Sequence, residues 1–130
     1  ISKNLRKGLV GITGSTYRPL DNEYQIREAL EQLFAWIKAT DNVYEKSLLG
    51  VLGISYIQPF VDGNKRTSRL FSNALLLSGG FAPLSYRSVD DRQYKEAMLV
   101  FYEQNSIQAF KKLFIEQYVF AAENYNISPM

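Results

Sequence analysis

A chain of 130 residues, 46% of them apolar, suffices for one compact core and is short for two, so residues 1–130 read as a single domain. The formal charge of +2 is too small to argue for a nucleic-acid partner, and the cations are scattered except at one place. Cysteine and histidine are both absent, which excludes disulfides and thiolate metal sites and removes the commonest general base.

Gly8, Gly11 and Gly14 interleave with apolar and β-branched residues up to Arg18-Pro19, a pattern that predicts a short β-hairpin flap over about 8–19. Asn22 followed by Gln25 resembles a capping box, and Ile26, Ala29, Leu30, Leu33, Phe34 and Ile37 then recur at helical spacing, predicting a helix over Glu23 to Lys38. A second helix is expected from near Asp41 up to Pro59, with Tyr44, Leu48, Val51, Leu52 and Ser55 on one side. A third is expected from Arg66 to Gly79-Gly80; nearly all apolar after its first turn, it reads as the buried central element. Asp90 is placed to cap a fourth helix bearing Tyr94, Ala97, Met98 and Phe101. Ser106 is placed to cap a fifth with Ile107, Phe110, Leu113, Phe114 and Tyr118. The expected fold is therefore mainly α.

No apolar run approaches the roughly 18 residues needed to span a bilayer, and Ile1 to Gly11 lack a signal-peptide core. The chain reads as soluble, with the cytoplasm as default compartment and a secreted effector also compatible. It begins without Met, which reads as a fragment lacking upstream sequence.

The segment Gln58-Pro59-Phe60-Val61-Asp62-Gly63-Asn64-Lys65-Arg66-Thr67-Ser68-Arg69 places a carboxylate, a glycine, a carboxamide and three cations on a turn that opens into a helix. A helix N-terminus carries unpaired N–H groups and the positive end of the dipole, so anions bind there. Gly63 permits positive φ and close backbone approach. Lys65, Arg66 and Arg69 oppose the dipole, so a polyphosphate is a natural offset, and Arg66 and Arg69, three apart, share a face. Asp62 is placed to hold Mg²⁺ bridging phosphate oxygens. Taken alone, Asp62-Gly63-Asn64-Lys65 also reads as an ordinary surface turn.

This twelve-residue string resembles the signature of the Fic family, His-Pro-Phe-x-Asp/Glu-Gly-Asn-Gly/Lys-Arg-x-x-Arg, at every defined position except the first. Gly14-Ser15-Thr16-Tyr17-Arg18-Pro19 resembles that family's flap, and Leu84-Ser85-Tyr86-Arg87-Ser88-Val89 with Tyr94 resembles the segment after its central helix. The resemblance implies a helical Fic-type domain that transfers AMP from ATP to a hydroxyl of a target protein, using Mg²⁺. By position, Gln58 stands where the family has its catalytic histidine, Asp62 would be the metal ligand, and Gly63, Asn64 and Lys65 the anion-binding loop. Arg66 and Arg69 would grip the β- and γ-phosphates, and Tyr94 and Tyr102 would border the adenine or else pack in the core. The flap residues Ile12, Thr13, Gly14, Ser15, Thr16 and Tyr17 would dock the unknown target by strand pairing.

A carboxamide hydrogen-bonds a hydroxyl but does not take its proton near neutral pH. Transfer is therefore expected to be slow or absent while binding of ATP·Mg²⁺ persists. A non-catalytic nucleotide-binding pseudoenzyme and a Doc-like protein kinase are the alternatives. The family is often silenced by an inhibitory helix or an antitoxin partner. Here Val119-Phe120-Ala121-Ala122-Glu123-Asn124 matches the Glu-Asn end of the inhibitory motif but has Val119 where Ser or Thr belongs, and reads as an ordinary helix end.

Overall fold

The computed structural model describes residues 5–12, 14–85 and 91–124. Five helices follow in order: α1 (Glu23–Ala39), α2 (Val43–Ile57), α3 (Asn64–Ser78), α4 (Asp91–Gln104) and α5 (Gln108–Asn124). The caps explain the starts. The Asn22 side chain accepts from the Gln25 amide at 2.9 Å, and that of Asn42 accepts from the Glu45 amide at 3.1 Å, so α2 begins one residue after the expected Asp41 cap region. In α5 the first backbone bond runs from Lys111 to the Ile107 carbonyl, so the helix opens one residue beyond the expected Ser106 cap. The expected Asp90 cap and Tyr86 to Val89 lie outside the described residues.

The central element is α2, which corrects the expectation that α3 is. One side of α2 supplies Ile54 and Ile57 to a cluster with Leu5 and with Ile26, Leu30, Leu33 and Ile37 of α1. Its other side supplies Val51 and Leu52 to a cluster with Leu76, Tyr94, Met98, Tyr102, Phe110 and Phe114. By contrast Leu70 and Leu77 of α3 are 63% and 58% exposed, and only Asn64, Ser68, Ser72 and Leu76 of that helix are buried. The physical reason is that small residues decide which helix fits in the middle. A Cβ on Gly53 would lie 2.4 Å from Leu33 Cδ1, so α1 lies on bare backbone there. On the α3 side Ser47 donates to the Ser72 carbonyl at 3.0 Å and Ser72 to the Ser47 carbonyl at 2.9 Å, a buried reciprocal pair that joins the two helices closely.

The expected β-hairpin over 8–19 is also corrected: among the described residues no strand forms. The segment is an irregular strap because its donors are engaged elsewhere. The Thr16 amide donates to Glu103 at 2.8 Å, the Tyr17 amide to Ser15 Oγ at 3.0 Å, and the Ser15 amide to the Ile12 carbonyl at 3.0 Å, closing a turn with Gly14 at φ 84°.

Beyond α3, Asn73 clasps the extended segment that follows. Its Nδ2 donates to the Leu84 carbonyl at 2.9 Å and its Oδ1 accepts from the Leu84 amide at 2.8 Å. This brings Leu84 and Ser85 to the mouth of a cleft over α3's first turns. No helix among the described residues is long and apolar enough to cross a membrane.

Candidate functional site

The site is built where α2 stops. Pro59 cannot continue the helix, and Gln58, its C-cap, takes the left-handed conformation at φ 51°, ψ 60°. That conformation costs a non-glycine residue roughly 1–2 kcal/mol, and it is held by a buried arginine from the strap. Arg6 is 2% exposed. Its Nε donates to the Gln58 carbonyl, its Nη2 to the Ile57 carbonyl at 3.0 Å and its Nη1 to the Gly8 carbonyl at 2.9 Å, while its own amide donates to the Pro59 carbonyl at 2.9 Å. The guanidinium thus meets the negative end of the α2 dipole and its last carbonyls, the partner those groups require. Burial pulls its pKa down, and the negative ends of Tyr17 and Asp21 act against that shift.

The Gln58 side chain is pinned on both sides. Its Nε2 donates to the Ser55 carbonyl at 2.8 Å and its Oε1 accepts from Asn64 Nδ2 at 3.1 Å. Asn64, 7% exposed at the first position of α3, also closes the loop on itself: Oδ1 accepts from the Phe60 amide at 2.9 Å and Nδ2 donates to the Phe60 carbonyl at 2.8 Å. Its carboxamide therefore braces the loop.

Gly63 caps α3 at φ 78° and offers no side-chain cap. A Cβ there would lie 3.0 Å from an Arg66 Nη2, so the Arg66 guanidinium lies across the glycine. No acidic residue occupies the first turn, while Lys65 and Arg66 do. Helix N–H groups, dipole and cations consequently reinforce one positive field. The Arg69 guanidinium lies 4.1 Å from the Tyr94 ring centroid and Lys65 Nζ 5.0 Å from it. Tyr94 is thus a buried platform for cations. Burial raises its phenol pKa, with Arg69 and Ser68 acting in the opposite sense. Tyr102 donates to the Ser55 carbonyl at 3.0 Å, and burial keeps it a neutral donor well above its ordinary range.

These groups line one open cleft of about 970 Å³. Gln58, Asp62, Gly63, Asn64, Lys65, Arg66, Arg69, Tyr94 and Tyr102 all border it, together with Ile12 of the strap. Four of the flap residues singled out in the sequence do not line it: Gly14, Ser15, Thr16 and Tyr17 form the strap's far anchor, and Thr13 lies outside the described residues. Tyr17 stacks parallel to Tyr102 with centroids 5.3 Å apart, and its hydroxyl donates to the Tyr56 carbonyl at 2.7 Å. Glu123 is exposed and is not among the cleft's lining residues.

Four contributors escape a reading of the chain. Arg6 reads as one more surface cation, and its partners lie 51 and 52 residues on. Lys95, one position past Tyr94, adds a fourth cation to the cleft from α4. Met98 and Leu99 make an apolar patch beside it, indistinguishable in sequence from ordinary core positions.

A helical domain whose α3 N-terminus opens, without a side-chain cap and flanked by cations, into a cleft of this size is built to receive an anion. Residues 3–76 match the Fic/DOC family, and the chain belongs to that family. The protein adenylyltransferase Fic of Nematostella vectensis is 51% identical over 41 residues, 32% of this chain and 10% of that protein. A probable protein adenylyltransferase of Aquifex aeolicus is 26% identical over 113 residues, 82% of this chain and 35% of that protein. The chain therefore spans between a tenth and about a third of these relatives. The crystal structure of BepC, a VirB-translocated effector of Bartonella tribocorum with bound AMPPNP, shares the fold with a TM-score of 0.71 at 18% identity. The likeness covers 85% of this chain and 56% of that one.

Proposed function

We propose that the chain acts as one Fic-type unit that binds ATP with Mg²⁺ in this cleft and is built to pass AMP to a protein hydroxyl, at a rate held down by Gln58. The observation that carries the reading is the N-terminus of α3 without a side-chain cap, with Lys65, Arg66 and Arg69 in its first two turns and Lys95 of α4 lining the same cleft. Among the described lining residues, four cations against one carboxylate call for a ligand with several negative charges. Backbone N–H groups from Gly63 onward approach the phosphates, Arg66 and Arg69 grip them, and Tyr94 keeps Arg69 in place from below. The apolar patch of Met98 and Leu99 receives the base, with Tyr102 behind it.

Asp62 fits a magnesium site. It is exposed at the mouth of the loop and is the single carboxylate among the cleft's described lining residues. Magnesium characteristically takes one or two carboxylates and completes its shell with phosphate oxygens and water. Bound there, it would neutralise phosphate charge. Asp62 is thereby a ligand and is not free to act as a base.

In the transfer, the acceptor oxygen bonds to the α-phosphorus, the bond to the departing pyrophosphate breaks, and the hydroxyl proton must leave. Gln58 hydrogen-bonds that hydroxyl without taking its proton, a deficit that typically costs 10²–10⁴ in rate. The acceptor reaches the site along the strap, whose backbone around Leu9 to Ile12 is unpaired with any strand among the described residues. A second reading, nucleotide binding without turnover, is favoured by Gln58 itself, whose side chain is already engaged by Ser55 and Asn64.

Gln58→His separates the readings. Incubated with ATP labelled on the α-phosphate, the variant should label protein at least about a hundredfold faster than the parent, with the rate falling as pH drops through about 6.5, where imidazole becomes protonated. Label arriving only from the γ-phosphate would indicate a kinase. A variant that binds ATP and labels nothing would leave the binding-only reading standing.

A further inference from the structure

The geometry points to Glu103 as a positioning residue that latches the strap at a set height over the cleft, and so sets where an acceptor segment meets the reacting phosphate. This role rests on the acceptor-docking function proposed for the strap.

Glu103 lies on α4 next to Tyr102, which borders the cleft. Its two carboxylate oxygens collect three donors from two successive strap residues. Ser15 Oγ and the Thr16 amide reach Oε1, the latter at 2.8 Å, and Thr16 Oγ1 reaches Oε2 at 2.9 Å. The partners are 87 and 88 residues apart in the chain, so the contact is a tertiary tie and not a local cap. Charge-assisted bonds of this kind are the stronger ones, and a carboxylate gripping an amide and a hydroxyl of one residue fixes orientation as well as distance.

The strap is tethered at both ends. Arg6 ties its start to the Ile57 and Gln58 carbonyls at the end of α2. Glu103 ties its far end, next to Tyr17 on Tyr102. Between the ties lie Gly8, Gly11 and Gly14, and the intervening Gly11 and Ile12 border the cleft. The height of a span held by two anchors is set by the anchors, and only the Arg6 anchor is buried. The Glu103 anchor is exposed, which makes it the adjustable one. An extended peptide lying against residues 9–12 is therefore registered by a carboxylate that touches neither nucleotide nor acceptor.

The test compares Glu103→Ala and Glu103→Gln, each in the native chain and in the Gln58→His background. In the native chain, exchange of the Thr16 amide should quicken at least about tenfold in Glu103→Ala with the thermal midpoint nearly unchanged. In the Gln58→His background, AMP transfer to protein should fall about tenfold through a raised acceptor KM, with ATP affinity unchanged. Glu103→Gln should recover part of both, because its Oε1 still accepts from the Thr16 amide. Unchanged Thr16 exchange in Glu103→Ala overturns the latch. Quickened exchange with transfer at the parent level, or a loss of ATP affinity equal to the loss of transfer, overturns the positioning role. Failure of the transferase reading is seen separately and earlier, in a Gln58→His parent that transfers nothing, and it removes the acceptor role while leaving the latch to be judged by exchange.

Discussion

Replacing Arg6 by methionine keeps most of the side chain's length and removes its charge and its donors. Three carbonyls, those of Gly8, Ile57 and Gln58, lose a charge-assisted partner. Such bonds contribute about 1.5–3 kcal/mol each, and a buried acceptor left unpaired costs about 1–3 kcal/mol. Part of that is recovered, because methionine escapes the desolvation of a guanidinium and the Gly8 carbonyl, on the exposed stretch of the strap, regains water. The balance is a loss of about 3–5 kcal/mol, a large share of the 5–15 kcal/mol that holds a domain of this kind together. Urea unfolding of Arg6→Met against the parent, with equal slopes, reads the loss directly. Arg6→Lys should fall between the two, since an ammonium is a point donor without the planar fork. A loss below about 1 kcal/mol in Arg6→Met would refute the claim that this residue holds the end of α2 and the left-handed Gln58.

Gly63→Ala places a Cβ on a residue at φ 78° and against Arg66 Nη2. A stability loss of about 1–2 kcal/mol is expected from the backbone alone, together with about a tenfold loss of ATP affinity from the displaced guanidinium, read by thermal melts and by calorimetry. Acid should release the strap. The Ser15 and Thr16 donors hold the Glu103 carboxyl below its ordinary range. A depressed folded-state pKa gives a contribution that is whole above the unfolded value and is lost as pH falls through the folded one. Exchange at the Thr16 amide, corrected for its intrinsic pH dependence, should therefore quicken below the usual carboxylate range, and no such change should occur in Glu103→Ala.

The site was readable in the chain to the extent that it is contiguous. Gln58 to Arg69 form one uninterrupted string, and the consequences of glycine, cations and a helix start at that spacing are local ones, which is why the cleft gathers every cation expected of it. Asn64 shows the limit. A carboxamide in an anion loop reads as a ligand group, whereas its neighbours in space, Phe60 and Gln58, turn it into a brace. The place of α3 is not legible in the chain, because hydrophobicity signals burial without saying which helix others can approach. That choice depended on Ser47 and Gly53 of α2, whose lack of bulk is informative only once a partner is known. The strap reads as a hairpin because its alternation is real, while the groups that take its donors, Glu103 above all, lie far along the chain. Long-range ties of this kind leave no periodicity to detect.

Titration of the native chain with ATP in the presence of Mg²⁺, followed by calorimetry, bears most directly on the proposed nucleotide site, with AMP and with Arg69→Glu as the two comparisons. Saturable one-to-one binding is expected, with ATP held more tightly than AMP and that difference largely erased in Arg69→Glu. A folded native chain that shows no saturable binding of ATP, or binds ATP and AMP alike with and without the Arg69 charge, would contradict it.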